Sequence, residues 1–372
     1  MRPTAAAAAS GERLGIGHHG PGSLGHFISI LFESVQAAEL MKLFRERQAV
    51  MCFLANDTWR GALTPYPGSE MRPDLFRLDI GYDPATETLA DYPEERRLPL
   101  VQAAIGIPDF PVRIKTVLPW EMAARVADRF QQGRVFLVGD AARTQPPSGA
   151  LGGNTGIAEA QNLAWKLASV LRGEAGIGSL DTYDMERRTL ADHTVEQVIM
   201  LSRQRHTAGS QGITVDTLTI NMGYRYGKGA RVPENGQDLP LVQNPLAWTG
   251  QPGTRAPHIT LERQGEPLSS LDLFGSRFVL LAGPDGEHWL KAAQSAADRL
   301  RLPLDIHQIG GPGQGTLGDP GNAFGQTYGI PASGAVLVRP DGYIGWRSRA
   351  AEQTAEDPEQ HLTDALSAIL CR

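Results

Sequence analysis

The sequence predicts a mixed α/β (α+β) protein of two or three domains, and three observations carry that expectation. Strand-like apolar runs such as HFISILFES and LFRLDIGY are interleaved with the helical periodicity of AAELMKLFRE. At 372 residues the chain exceeds one ordinary hydrophobic core. A fresh strand–helix–strand pattern begins near Ala256, after a stretch rich in Gly, Pro and Asn.

Taken in order, residues 1–20 contain MRPTAAAAASGERLGIG, which lacks the apolar centre of a secretory signal and is expected to be a flexible start. HFISILFES and AVMCFLAN are strands on either side of the helix AAELMKLFRE, and RGALTPYPG and LFRLDIGY follow them. Residues 1–118 therefore predict a mixed, mainly antiparallel sheet domain. Within it YPEERRLPLVQAAIG is an amphipathic helix closed by Gly106, and VRIKTVL is a strand. The second region, 119–206, opens with WEMAARVADRF, which reads as a helix, and continues with a short buried strand from Arg134 to Val138. TGIAEAQNLAWKLASVLRG is a helix stopped at Gly173, with Ile157, Ala160, Ala164, Leu167, Ala168 and Leu171 as its core-facing stripe. LDTYDMERRTLADHTVEQVIMLSRQRH extends the helical region to His206. Trp120 and Trp165 fall at apolar-facing helical positions and are expected in the core. Residues 207–255 lose periodicity and read as a linker. Residues 256–372 form a small α/β unit: RFVLLAGPDG, HWLKAAQSAADRLRL, LDIHQIG, the turn at Ile330-Pro331, the hairpin AVLVRPDGYIGWR and the helix HLTDALSAIL.

Composition excludes several function classes. A net charge of -6 gives no electrostatic case for nucleic acid or an anionic membrane. No apolar run reaches the roughly 18 residues that a membrane span needs. Cys52 and Cys371 make neither a disulfide framework nor a metal cluster, which fits a reducing cytoplasm. His18-His19 point apart and no third ligand follows at workable spacing, so no metal is expected.

The most informative stretch is GRVFLVGDAARTQPPSGALGGNTG, Gly133 to Gly156. A strand ends at Gly139-Asp140, a Gly/Pro loop follows, and a helix starts around Asn154-Thr155. Unpaired N–H groups at that helix start, with the positive end of its dipole, suit an anion or an electron-rich ring edge. Glycines at 149, 152 and 153 let backbone approach a flat ligand, and Pro146-Pro147 stiffens the turn. Asp140 can accept hydrogen bonds from sugar-like hydroxyls. A polyol joined to a planar, anion-forming heterocycle describes flavin. Arg143 is either a solvated loop cation or one that faces flavin or substrate. Arg72, Arg77, Tyr66 and Tyr82 either line an aromatic pocket or sit at the surface.

Gly139-Asp140-Ala141-Ala142, Pro146-Pro147-Ser148-Gly149 and Gly152-Gly153-Asn154-Thr155-Gly156 resemble the second flavin-binding motif of the class A FAD-dependent aromatic hydroxylases. Members of this family are single-component monooxygenases of phenols and polycyclic aromatic polyketides. The resemblance runs in order through GSLGHFISILF, AEAQNLAWKLASVLRG, LDTYDMERR and GTRAPH, covering the chain from about Arg13 onward. It implies a FAD/NAD(P)-binding-type flavoprotein monooxygenase fold. Residues 1–118 would be the substrate-binding sheet, 119–206 the distal part of the FAD-binding domain, and 256–372 a thioredoxin-like domain. It also implies that Asp140 holds the ribityl hydroxyls, that Pro147 and Gly149 lie beside the isoalloxazine, and that the backbone of Gly153 and Asn154 faces its N1/O2 edge, with Gly152 also among the cofactor-binding residues. FAD would be the cofactor, NADPH or NADH and O₂ the co-substrates, and a small aromatic molecule the substrate. No side chain is demanded as a covalent catalyst, and the catalytic residues stay unassigned.

The family also holds the ADP half of FAD with an N-terminal βαβ unit. Gly15-Ile-Gly17-His-His-Gly20 and Gly313-Gln-Gly315-Thr-Leu-Gly318 fit the bare GxGxxG pattern, but neither lies between a strand and a helix. ASGERLGI resembles the tail of the family's DG-containing motif, with Arg13 as its last arginine. The expectation is a distal hydroxylase portion without the dinucleotide-binding unit, binding FAD weakly or not at all by itself. It would work as a homodimer or with a separate chain that supplies the missing half. The alternative is a non-catalytic assembly or binding protein that keeps the fold. A thioredoxin-type redox function is disfavoured, because no CxxC exists.

Overall fold

Alternation in HHGPGSLGHFISILFE sets the first unit's architecture, because every second residue of a strand faces the same side. The computed structural model describes residues 13–55, 60–66, 72–107, 109–206, 216–234, 239–310, 317–349 and 357–372. The chain divides into two units, Met1–Arg125 and Val126–Arg372.

In the first unit, β1 (His18–Glu33) is followed by α1 (Ala37–Glu46), β2 (Cys52–Ala55), β3 (Arg60–Pro65), β4 (Leu75–Tyr82), α2 (Glu94–Ile105) and β5 (Arg113–Ala127), the last running into the second unit. The sheet order is β2-β3-β4-β1-β5. Antiparallel register places Ile28 opposite Ile80, Ile30 opposite Leu78 and Phe32 opposite Phe76. These six are buried together with Leu40 and Phe44 of α1 and Val101 and Ile105 of α2. Burial of each such side chain contributes about 1.5–3 kcal/mol. α2 ends as expected at Gly106, whose φ of 75° is the left-handed conformation of a helix stop. On the opposite sheet face Phe27 stacks on Trp120 at 4.7 Å, and Trp120 Nε1 donates to Ser29 Oγ at 2.9 Å. Ser29 Oγ in turn donates to Asp79.

Two expectations change here. WEMAARVADRF is strand through Ala127, not helix, so Trp120 stands on β5. Helix-favouring Glu, Met and Ala are overridden by pairing with β1, where small residues permit close approach. A Cβ on Gly20, at φ 114°, would meet the Ala124 carbonyl oxygen at 2.8 Å. Of the flexible start, residues 1–12 lie outside the described residues, whereas His18 to Gly20 already belong to β1.

The second unit continues with β6 (Gln131–Gln132) and β7 (Val135–Phe136), a hairpin, then β8 (Arg143–Thr144). Next come three helices, α3 (Leu151–Leu171), α4 (Asp181–His206) and α5 (Thr217–Met222). The remainder holds β9 (Thr260–Arg263), β10 (Glu266–Ser269), β11 (Phe278–Ala282), α6 (Glu287–Leu300), β12 (Leu304–Gly310), β13 (Leu317–Gly318), α7 (Phe324–Tyr328), β14 (Ala335–Val338), β15 (Ile344–Ser348) and α8 (Pro358–Leu370). Its sheet runs β10-β9-β13-β12-β11-β14-β15, with β12 parallel to β11 and β13 and the other pairings antiparallel. Every residue of β11 is buried, because both sheet faces are covered. Phe278 and Leu280 pack under α6 and α8, and Val279 and Leu281 pack with Phe324 and Tyr328.

The stretch read as a linker differs from its sequence signature. Tyr224, Tyr226, Ala230 and Trp248 are buried, Tyr224 stacks on Tyr343 at 5.7 Å, and Tyr226 meets Tyr343 at a tilt with centroids 4.5 Å apart. Tyrosine clusters held by distant partners leave no periodicity for a sequence to display.

The face of α3 is also inverted relative to expectation. Its buried side carries Thr155, Glu159, Asn162, Leu163, Trp165, Lys166 and Ser169. Ile157 is 69% exposed, Leu171 is 84% exposed, and Ala160 and Ala164 are exposed as well. The charges are turned inward because partners wait there. Glu186 accepts from Lys166 Nζ at 2.8 Å and from Asn162 Nδ2 at 2.6 Å, and Arg339 donates to both its oxygens at 2.7 and 3.0 Å. Arg339 also reaches Asp341 at 2.6 and 3.0 Å. Trp165 meets Phe278 edge-on at 5.5 Å, so it is a core residue as expected.

Candidate functional site

Where β7 ends, the chain turns through Gly139–Ala141 and packs on α3. Leu137 is buried, and its carbonyl accepts from Tyr183 Oη at 2.7 Å. Gly139 adopts φ 60°, and a Cβ on Gly156 of α3 would lie 3.4 Å from the Gly139 Cα. The turn therefore lies in van der Waals reach of the helix at Gly156. Ala142 is tied back to β5 by a 2.8 Å bond from Ala127 N to its carbonyl.

The loop then runs through buried Pro146 and exposed Pro147 into a short turn at Ser148–Ala150. Gly149 has φ 77°, and its absent Cβ would sit 3.2 Å from Leu201 and 3.4 Å from Leu151. The left-handed backbone by itself favours glycine here, and a Cβ would also press on the Leu201 side chain of α4. Helix α3 begins at Leu151, earlier than Asn154-Thr155, so Gly152, Gly153 and Asn154 form its first turn. No side chain caps that start. The leading N–H groups of a helix have no intrahelical acceptor, so the turn presents donors and positive dipole.

The structure places Asp140 in the turn that packs on α3, and Gly152, Gly153 and Asn154 in the first turn of that helix. Asp140, Pro147, Gly153 and Asn154 are exposed, and Gly149 and Gly152 are partly so. A Cβ on Gly153 would touch nothing within 4 Å, leaving room for a flat group. Beyond Asn154 the surface continues into a cleft of about 590 Å³ lined by Gln161, Asn221, Arg255 and Tyr343 among others.

Arg143 is neither a solvated nor a ligand-facing cation. It is buried at 1% exposure, with its Nε 3.1 Å from Glu159 Oε1. Burial pulls the guanidinium below its usual pKa, and Glu159 opposes that pull. Sequence reasoning missed Glu159, Lys166 and Glu186. The signal was present in the polar positions 155, 159, 162, 166 and 169, which share one helical face. Burial pushes Lys166 down to about 8, and Arg339 adds to that effect. For Glu186 burial acts upward, but Arg339 and Lys166 outweigh it and hold the carboxyl at about 2.

The four aromatic-pocket candidates lie on or next to β3 and β4. Arg72 is exposed and pairs with Asp74 and Glu33, and Tyr66 is 40% exposed. Arg77 pairs with Asp79 at 3.0 Å, while Tyr82 packs edge-on against His26 and Tyr92. Among the described residues no His, Cys, Asp and Glu cluster could hold a metal, and no helix is long and apolar enough to cross a membrane.

Residues 6–198 match the FAD binding domain family, and residues 249–372 match the aromatic-ring hydroxylase C-terminal family. The chain belongs to the FAD-dependent aromatic hydroxylases. Among hydroxylases of this family, it is 37% identical to aklavinone 12-hydroxylase of Streptomyces purpurascens over 97% of its own length and 65% of the relative's. It is 39% identical to tetracenomycin A2 monooxygenase-dioxygenase of Streptomyces glaucescens, over 97% and 64%. The 4-methyl-5-nitrocatechol 5-monooxygenase of a Burkholderia species is 39% identical over 97% and 66%. The chain thus spans somewhat less than two thirds of these curated hydroxylases. A solved structure of aklavinone-11 hydroxylase with FAD and aklavinone superposes with a TM-score of 0.85 at 36% identity, over 97% of this chain and 65% of that one.

The residues present fit the ring and ribityl end of FAD. An uncapped helix start suits the electron-rich ring edge, Gly153 leaves room for a planar group, and exposed Asp140 offers acceptors for hydroxyls.

Proposed function

We propose that this chain contributes the flavin-ring site and substrate sheet of an FAD-dependent monooxygenase. Its substrate would be an electron-rich aromatic ring, a phenol or polycyclic aromatic polyketide, with NADPH or NADH and O₂ as co-substrates. FAD, when bound, supplies the redox chemistry and the activation of O₂. The protein's part is orientation and electrostatics. Asp140 accepts hydrogen bonds from the ribityl hydroxyls, Pro147 and Gly149 border the ring, and the Gly152, Gly153 and Asn154 turn donates to its N1/O2 edge. One observation carries this reading: an uncapped α3 start with open space at Gly153, on the helix against which the Gly139–Ala141 turn packs. Two free, widely separated cysteines accord with work in a reducing cytoplasm. Titrating FAD against the purified chain and following flavin fluorescence tests it. Weak but saturable quenching is expected, because only the ring and ribityl contacts hold the flavin here, and fluorescence that stays unchanged at the highest protein concentration would overturn the assignment.

The partner in this reading is a second copy of this chain or a separate chain of the same family fold. The exposed stripe Ile157, Ala160, Ala164 and Leu171 is its surface, since contiguous apolar exposure marks an interaction site. Ile157→Glu with Leu171→Glu should leave the melting temperature of the chain unchanged and abolish any self-association seen by light scattering.

A further inference from the structure

The loop that carries the ring site is closed from behind by one buried ion pair. Glu159 Oε2 accepts the Gly139 backbone N–H at 2.7 Å, and Oε1 accepts Arg143 Nε at 3.1 Å. Arg143 then donates to Gln145 Oε1 at 3.0 Å and to the Gly152 carbonyl at 3.1 Å. Both charged side chains are wholly buried. The four contacts touch the loop at its entry, Gly139, at two interior points, 143 and 145, and at its exit in the first turn of α3.

We propose that Arg143 and Glu159 are positioning residues that hold Asp140 and the α3 N-terminal donors at a fixed separation, and thereby set the geometry of the flavin-ring site. The proposal rests on the flavin reading above for its ligand, but on distances alone for the clamp. Glu159 is committed on both oxygens, and Arg143 spans sixteen residues of sequence with one planar fork. Lysine cannot reproduce that fork, because an ammonium on a flexible stem cannot hold three divergent acceptors in one plane. A buried charge left without its partner is costly, so a charge-deleted double variant is the safer probe of geometry.

The experiment uses the full chain as wild type, Arg143→Lys, and the double variant Arg143→Met with Glu159→Gln. Arg339→Lys serves as a control that perturbs a different buried ion pair. Hydrogen exchange without flavin is the first measurement. The Gly139 amide should be protected in wild type and in Arg339→Lys, and residues 139–153 should exchange at least about tenfold faster in both clamp variants. Equal exchange across all four proteins would overturn the clamp whatever the ligand. FAD titration, with the visible spectrum of the bound flavin, is the second measurement. Affinity should fall about tenfold or more in the clamp variants, which corresponds to the loss of a single good contact. The flavin band should shift in those variants and stay unchanged in Arg339→Lys. Unchanged affinity and spectrum in the clamp variants would overturn the positioning role. Loss of FAD binding in wild type itself, with the exchange pattern intact, would sink the flavin reading and leave the clamp standing.

Discussion

Asp140 is the side chain on which the ribityl contacts depend in the proposed site, since it is exposed at the turn packed against α3. Hydrogen bonds to a charged acceptor are worth about 1.5–3 kcal/mol each. Asp140→Ala should therefore weaken FAD binding by roughly ten- to a hundredfold in fluorescence titration, and Asp140→Glu should recover part of it. An unchanged affinity would remove Asp140 from the site. Glu186 supports a second prediction. Its carboxyl is held at about 2, below the 4.5 of an unperturbed glutamate, so the unfolded chain binds the proton first. Its contribution is fully present above pH 4.5 and is lost as pH falls from 4.5 to about 2, by about 3 kcal/mol. Urea unfolding across that range should show a steeper acid loss in wild type than in Glu186→Gln. Parallel curves would contradict it. The strand end, the Gly/Pro loop and the helix start around Asp140 and Gly153 were legible in the sequence because they are local features. Glu159 and Glu186 were not, because Gly139 lies 20 residues from the first and Arg339 lies 153 from the second.

Helix α3 shows how an element can be legible in extent and misread in orientation. Its apolar stripe predicts a core face, yet Ile157 and Leu171 face outward while Glu159 and Lys166 are buried. Periodicity reports which residues share a side, and only the packed partners decide which side is inward. β5 fails differently: local helix propensity gives way to strand pairing, which a window of the sequence does not contain. The first turn of α3 separates stability from binding. Gly153 lies in helical backbone with nothing within 4 Å of a built Cβ. Gly153→Ala should stabilise the protein by about 0.5–1 kcal/mol in urea unfolding, because glycine is a poor helix former. In the same variant FAD affinity should fall, since the methyl group intrudes where the ring edge is proposed to lie. A variant that is more stable and binds FAD as wild type does would show that the ring lies elsewhere.

Val126–Arg372 is one unit although its sequence divides between a helical region and a later α/β pattern. The change of pattern near Ala256 was visible in the sequence, but the contacts across it were not, because they join residues more than a hundred apart. Arg339, beside β14, closes on Glu186 of α4, Asn162 of α3 reaches Asp341 at 3.3 Å, and Trp165 shares a core cluster with Phe278. Removing one partner from a buried ion pair costs about 3–5 kcal/mol, since the remaining charges stay desolvated. If 256–372 were an autonomous domain, Arg339→Met would loosen only the sheet that carries it. The shared network predicts a wider effect: amide exchange should accelerate by a similar factor around Asn162 and Lys166 of α3, in α4 and in the β11–β14–β15 strands, with residues 139–153 unaffected. Glu186 would be left with Lys166 as its remaining buried cation, so both sides of the network would lose the same contact. Restoring a cation with Arg339→Lys should return part of the protection on both sides together. Acceleration confined to Ala335–Ser348, with α3 and α4 exchanging as in wild type, would make the network a local feature and the later α/β pattern an independent folding unit.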